Sequence, residues 1–210
     1  SPRPPENSLP PIFFVVPMTR ILSPGSDIQA MSEVKRVDCL LIGRFQPFHL
    51  GHLEVVRKIA KECDELIIGI GSAQISHTFD NPFTAGERHL MISRALRDEG
   101  IRDFFLVPIV DINQYGVWVS HVRSMVPPFE RVYTNNPLTK RLFSEAGFEV
   151  SASPMFNRSQ YSGTEIRRRM VSGNDWKRFV PNAVAEVIES IDGVKRLRDL
   201  EAVGEADASD

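Results

Sequence analysis

Arg44, His49, Gly51 and His52, all within GRFQPFHLGH, put a fixed cation, two imidazoles and a residue without a β-carbon into nine positions. His49 and His52 are three apart, so on a helix they share a face. Gly51 between them admits a ligand to the backbone. Arg44 offers a permanent, forked charge matched to phosphate. The first turn of a helix adds unpaired N–H groups and the positive end of the helix dipole. Such a set can hold a polyphosphate and donate to oxygens that gain charge in a transition state. The same pair could ligate a metal, but no third His, Cys or suitably spaced carboxylate accompanies it. It could also simply cap a helix; the arginine, the glycine and a position directly after an apolar run favour the anion.

A second stretch of this kind is YSGTEIRRRM, residues 161–170. Ser162 and Glu165 have capping-box spacing, which opens a helix there. Ser162 and Thr164 supply hydroxyls at that opening, and Arg167 and Arg168 lie about one turn in, able to fold back over an anion. Taken alone, three consecutive arginines read as a solvated helix face. The S-G-T directly ahead of them shifts the balance toward an anion site.

These residues need a scaffold. The apolar runs at 37–43 and 65–71 read as buried parallel strands around an amphipathic helix at 50–63. Alternation continues with helices at 84–99, 117–125 and 138–146 and strands at 104–110, 131–134 and 148–151. The fold class is therefore α/β: a doubly wound, Rossmann-like parallel sheet, closed by C-terminal helices at 162–171 and 182–191 with room for a third. Thr84 with Glu87 forms a capping box, and Gly100 and Gly147 sit at helix C-caps. In such sheets ligands bind beyond the carboxyl ends of the strands, here the loops after Gly43, Gly71, Val110 and Thr134.

At 210 residues and net charge -2, the chain has no general affinity for nucleic acid or an anionic membrane, and no apolar stretch approaches the roughly 20 residues of a membrane helix. Residues 1–35 are expected to be a disordered, proline-rich extension, with Met31 a natural start just ahead of the patterned region. Residues 36–200 read as one domain and 201–210 as a frayed acidic tail. Cys39 and Cys63 lie in apolar contexts, which suits buried thiols in a reducing cytoplasm and no disulfide.

The H-x-G-H of His49 to His52 resembles the signature of the nucleotidyltransferase superfamily, and GRFQPFHLGH is similar to the archaeal type of nicotinamide mononucleotide adenylyltransferase. Ser162, Thr164 and Arg167 match that superfamily's S-x-T-x-x-R motif for the β- and γ-phosphates. The resemblance implies ATP and nicotinamide mononucleotide as substrates, NAD and pyrophosphate as products, and Mg²⁺ carried with ATP rather than on protein ligands. It gives His49, His52 and Arg44 catalytic roles, and Ser162, Thr164, Arg167 and Gly51 the ATP phosphates. Gly43, Phe45, Ser72, Trp118, Asn135 and Asn136 fall to the nucleotides, with Trp118 against the nicotinamide; a core role fits that tryptophan nearly as well. One position departs: Tyr115 stands where an asparagine often precedes the tryptophan by three, with Asn113 two residues earlier. A cytoplasmic homo-oligomer is implied. Two alternatives remain open, a transferase for phosphopantetheine, flavin mononucleotide or a polyol phosphate, and a non-catalytic nucleotide sensor.

Overall fold

The computed structural model describes residues 37–153 and 161–207; the expected N-terminal extension lies outside them. Strands β1 (Cys39–Gly43), β2 (Leu66–Ile70), β3 (Phe104–Pro108), β4 (Arg131–Tyr133) and β5 (Glu149–Ser151) form one sheet in the order β3-β2-β1-β4-β5. Every pairing is parallel, with Leu40 beside Ile67 on one side and Val132 on the other. Helices α1 (Leu50–Ile59), α2 (Ala85–Asp98), α3 (Tyr115–Met125) and α4 (Pro137–Glu145) alternate with the strands. Helices α5 (Gly163–Ser172), α6 (Asn182–Ser190) and α7 (Gly193–Asp207) follow.

Strand side chains alternate between two cores, which is what continuous apolar runs in β1 and β2 require. Cys39, Leu41, Ile68 and Ile70 pack with Leu53 and Val56 of α1, Met91 of α2 and the closing helices. Leu40, Ile67 and Val132 pack on the opposite face with Val122 of α3 and Phe143 of α4. Each fully buried aliphatic of this kind contributes roughly 1.5–3 kcal/mol. Because the chain leaves β1 toward β2 and later returns beside β1 as β4, the winding reverses at β1. A crevice at the carboxyl end of β1 is the topological result.

The expected caps at Thr84 and at two glycines are present: Thr84 and Glu87 exchange hydrogen bonds, and Gly100 and Gly147 take φ of 73° and 84°. Two expectations are corrected. Helix α7 continues to Asp207, so the acidic end from Glu201 is helical rather than frayed over those residues. Its Glu and Ala are good helix formers, and Leu197 anchors the helix in the core. Cys39 and Cys63 are joined in a disulfide, with Cα atoms 5.9 Å apart. Apolar context hid the pairing, because only the fold brings the start of β1 beside the end of α1.

The disulfide closes a loop over a sequence separation of 24 residues. In the chain-entropy account, opening such a loop costs on the order of 3 kcal/mol. Urea unfolding with and without reductant should differ by about that amount. Equal midpoints, or two thiols titrating in the native protein, would show the bond absent.

Candidate active site

The loop after β1 runs into α1 through an unusual cap. His49 is the N-cap, and its Nδ1 accepts the His52 N–H at 3.2 Å; the Nδ1 of His52 accepts the His49 N–H at 3.3 Å. The two rings stack with centroids 3.5 Å apart. A neutral imidazole whose Nδ1 accepts carries its proton on Nε2. The pair therefore does cap the helix, the role set aside on sequence grounds, and the cap leaves both Nε2–H groups as donors. Arg44 is exposed just before it. Phe45 is folded back over Gly43 at φ 51°, with its ring 4.9 Å from that of His52. At 3% exposure Phe45 supports the imidazole from below and has little surface to offer a nucleotide.

The second motif meets the first through two glycines. A β-carbon on Gly51 would lie 2.8 Å from the β-carbon of Tyr161, and one on Gly163 would lie 2.9 Å from the Gln46 carbonyl. The space above Gly51 is thus taken by Tyr161 rather than left for a ligand. Ser162 is the N-cap of α5 but makes no capping hydrogen bond. The expected capping box fails because Glu165 pairs instead with Arg169, one turn on, at 3.0 Å. The Ser162 hydroxyl is left out of the cap. Arg167 folds back as expected: its guanidinium donates to the Gln46 carbonyl at 2.9 Å and to Thr164 Oγ1 at 3.3 Å.

The loops after β2 and β3 are tied to each other. Ser72, at φ 48°, donates to Asp111 Oδ2 at 2.6 Å, and Gln74 bonds both backbone groups of Asp111. Left-handed backbone at Phe45, Ser72, His77 and Asn113 costs energy, and all four lie on loops following β1, β2 or β3. Beyond Asp111 a cavity of about 220 Å³ is lined by Asn113, Tyr115, Trp118, Asn136 and Leu138. The Trp118 ring meets Phe143 edge-on at 5.6 Å, as its core role requires, and also walls the cavity. The two asparagines part company. Asn136 caps α4 with Oδ1 while lining the cavity, whereas Asn135 donates to the Ser153 carbonyl and stays out of it.

Sequence reading missed Arg88. It is fully buried, and its guanidinium donates to the carbonyls of Arg44, Gly71, Ser72 and Thr84. Loss of hydration pushes its pKa down to about 10, which still leaves it charged near neutrality. A signal existed: an arginine on the same stripe as Met91, Ile92 and Ala95 is out of place unless it has carbonyls to satisfy. Among the described residues no three His, Cys, Asp or Glu side chains cluster to hold a metal.

Burial pushes the His49 imidazole down to about 4, and lowers His52 as well, helped by repulsion from His49. Unfolded histidine takes up its proton near pH 6.5, so below that pH the unfolded chain binds more protons than the folded one. Stability is full above about pH 6.5 and falls toward pH 4. His49 alone should remove about 1.4 kcal/mol between pH 7.5 and 5.5, a window in which ordinary carboxylates stay ionised. Urea midpoints at those two pH values test this; no difference would place both rings in water.

Comparison with known proteins places the chain in a family. The cytidylyltransferase-like family matches residues 40–169. A nicotinamide-nucleotide adenylyltransferase of Picrophilus torridus is 60% identical over 76% of this chain and 95% of its own length. One from Archaeoglobus fulgidus is 59% identical over 76% of this chain and 94% of its own. Among solved structures, a bifunctional NMN adenylyltransferase/ADP ribose pyrophosphatase of Francisella tularensis, complexed with AMP and a Mn ion, shares the fold. Its TM-score is 0.66 at 21% identity, covering 81% of this chain and 53% of that one. With a family model matching over half of its length and relatives this similar, the chain belongs to the cytidylyltransferase-like family and, within it, to the nicotinamide-nucleotide adenylyltransferases.

Proposed function

We propose that this enzyme transfers the adenylyl group of ATP to nicotinamide mononucleotide, giving NAD and pyrophosphate, the reaction for which its relatives are named. The observation that carries the reading is the junction of the two motifs, in which Arg167 donates to Gln46 across 121 residues of sequence. A phosphate oxygen of the mononucleotide attacks the α-phosphorus of ATP as the bond from that phosphorus to the bridging oxygen breaks. The nucleophile is already an anion, so no general base is needed. What the protein must supply is alignment and charge neutralisation.

In this reading the Nε2–H groups of His49 and His52 donate to the α- and β-phosphates, and His52 meets the charge that develops on transfer. Arg44 bridges phosphates, while Ser162, Thr164 and Arg167 hold the departing pyrophosphate. Neutral imidazoles suit this work, since they donate without changing protonation near neutral pH. Mg²⁺ would arrive as a companion of ATP, with phosphates and water supplying most of its ligands. The metal would supply neutralisation of the triphosphate. Trp118, Asn113 and Asn136 form the wall for the nicotinamide end, and Tyr115, 62% exposed at its rim, bears on the choice between amide and acid. Cytoplasmic location and a homo-oligomer belong to the same proposal; sedimentation tests the latter.

Pyrophosphate release from ATP should occur with nicotinamide mononucleotide, and NAD should accumulate; phosphopantetheine, flavin mononucleotide and polyol phosphates should be silent. Release with one of those alone would move the enzyme to another acceptor, and silence with all would favour a sensor. His52→Ala should lower kcat by about 100-fold or more with little change in ATP affinity. A loss confined to affinity would remove the transition-state role. Trp118→Ala should raise KM for the mononucleotide and spare that for ATP.

A further inference from the structure

Arg167 already has a partner. Its side chain is 3% exposed, yet its Nη2 donates at 2.7 Å to Oδ1 of Asp80, whose own side chain is 72% exposed. The remaining guanidinium contacts are the Gln46 carbonyl, Thr164 Oγ1 and the face of Phe79, with the ring centroid 5.7 Å away. Arg167 Nε is buried with no hydrogen-bond partner. The buried cation is thus held from the protein side and paired with one solvated carboxylate.

We propose that Asp80 is a phosphate placeholder: its carboxylate occupies the Arg167 position that the leaving pyrophosphate end of ATP takes, and ATP must displace it. This rests on the reading of Arg167 as a pyrophosphate ligand. Three observations support it. A carboxylate and a phosphate present the same oxygen acceptors to a guanidinium. The Asp80 side chain is solvated enough to rotate into water at small cost. The turn that carries it is closed by reciprocal backbone bonds between Thr78 and Asn81, at 3.3 and 3.1 Å, so the side chain can leave while the backbone stays.

The placeholder serves two purposes. It keeps a buried, desolvated arginine from standing unpaired between turnovers, which is costly. It also returns to Arg167 as pyrophosphate departs, so it competes with product and lowers affinity for both triphosphate and pyrophosphate. Asp80 is therefore a residue that sets affinity at the leaving-group end without touching the reacting atoms.

The test is titration calorimetry of inorganic pyrophosphate, and of ATP with Mg²⁺, into the full chain and the variants Asp80→Asn, Arg167→Met and the double variant. Asp80→Asn should bind pyrophosphate about fivefold more tightly, and pyrophosphate should become a correspondingly better product inhibitor. In the Arg167→Met background the same substitution should give no gain. Unchanged or weaker binding by Asp80→Asn overturns the proposal and leaves adenylyl transfer intact. A gain that persists without Arg167 also overturns it, by showing a general charge effect. If Arg167→Met binds pyrophosphate like the wild type, the assignment of Arg167 falls and the placeholder with it.

Discussion

One buried guanidinium holds the site loops in register. Parallel strands end with their carbonyls facing the same crevice, and loops that turn there leave acceptors without strand partners. Arg88 gathers four of them, from the loops after β1 and β2 and from the cap of α2. An arginine buried with carbonyls alone gives up its hydration, and only several charge-assisted bonds at once offset that loss. Because the cost is shared among three segments, none can shift without leaving the cation under-bonded. Arg44 and Ser72, whose carbonyls accept from that cation, keep a fixed separation as a result.

The second constraint is steric. Gly51 and Gly163 allow the openings of α1 and α5 to approach each other more closely than any side chain would permit. Two helix N-termini, both positive ends, are thereby brought to one place, an arrangement that repels itself without an anion. In the placeholder proposal, the Asp80 carboxylate eases that repulsion when no phosphate is bound.

Much of this was legible in the sequence. Short continuous apolar runs marked the central strands and period-3.6 patterns most helices, because buried parallel strands must be apolar on both faces. The two motifs proposed to hold phosphate were visible because their residue types are rare together. What escaped was long-range. The disulfide joins cysteines that apolar neighbours disguised, and Arg88 satisfies carbonyls far from it in sequence. Glu165 was assigned to Ser162 by spacing, when a competing arginine one turn away claimed it. Gly51 was recognised for the right property and given the wrong neighbour. Asn135 and Asn136 were read as a pair, but adjacent residues at a helix start diverge, one into the cap and one away from it. For the cysteines, Arg88, Gly51 and Asn135 the deciding partner lay outside the local window.

The stacked imidazoles carry a consequence for how such a site can diversify. The atoms that start α1 and the atoms proposed to meet phosphate belong to the same two rings, with Nδ1 committed to the fold and Nε2 to the ligand. A replacement that supplies a different donor must also cap a helix from the same position, and few side chains have a second acceptor placed to do so. Selection on chemistry and selection on folding therefore act on one pair of residues and cannot be relaxed separately. Variation in acceptor is free to accumulate elsewhere, in the cavity wall beside Trp118, where a changed side chain leaves the helix start untouched.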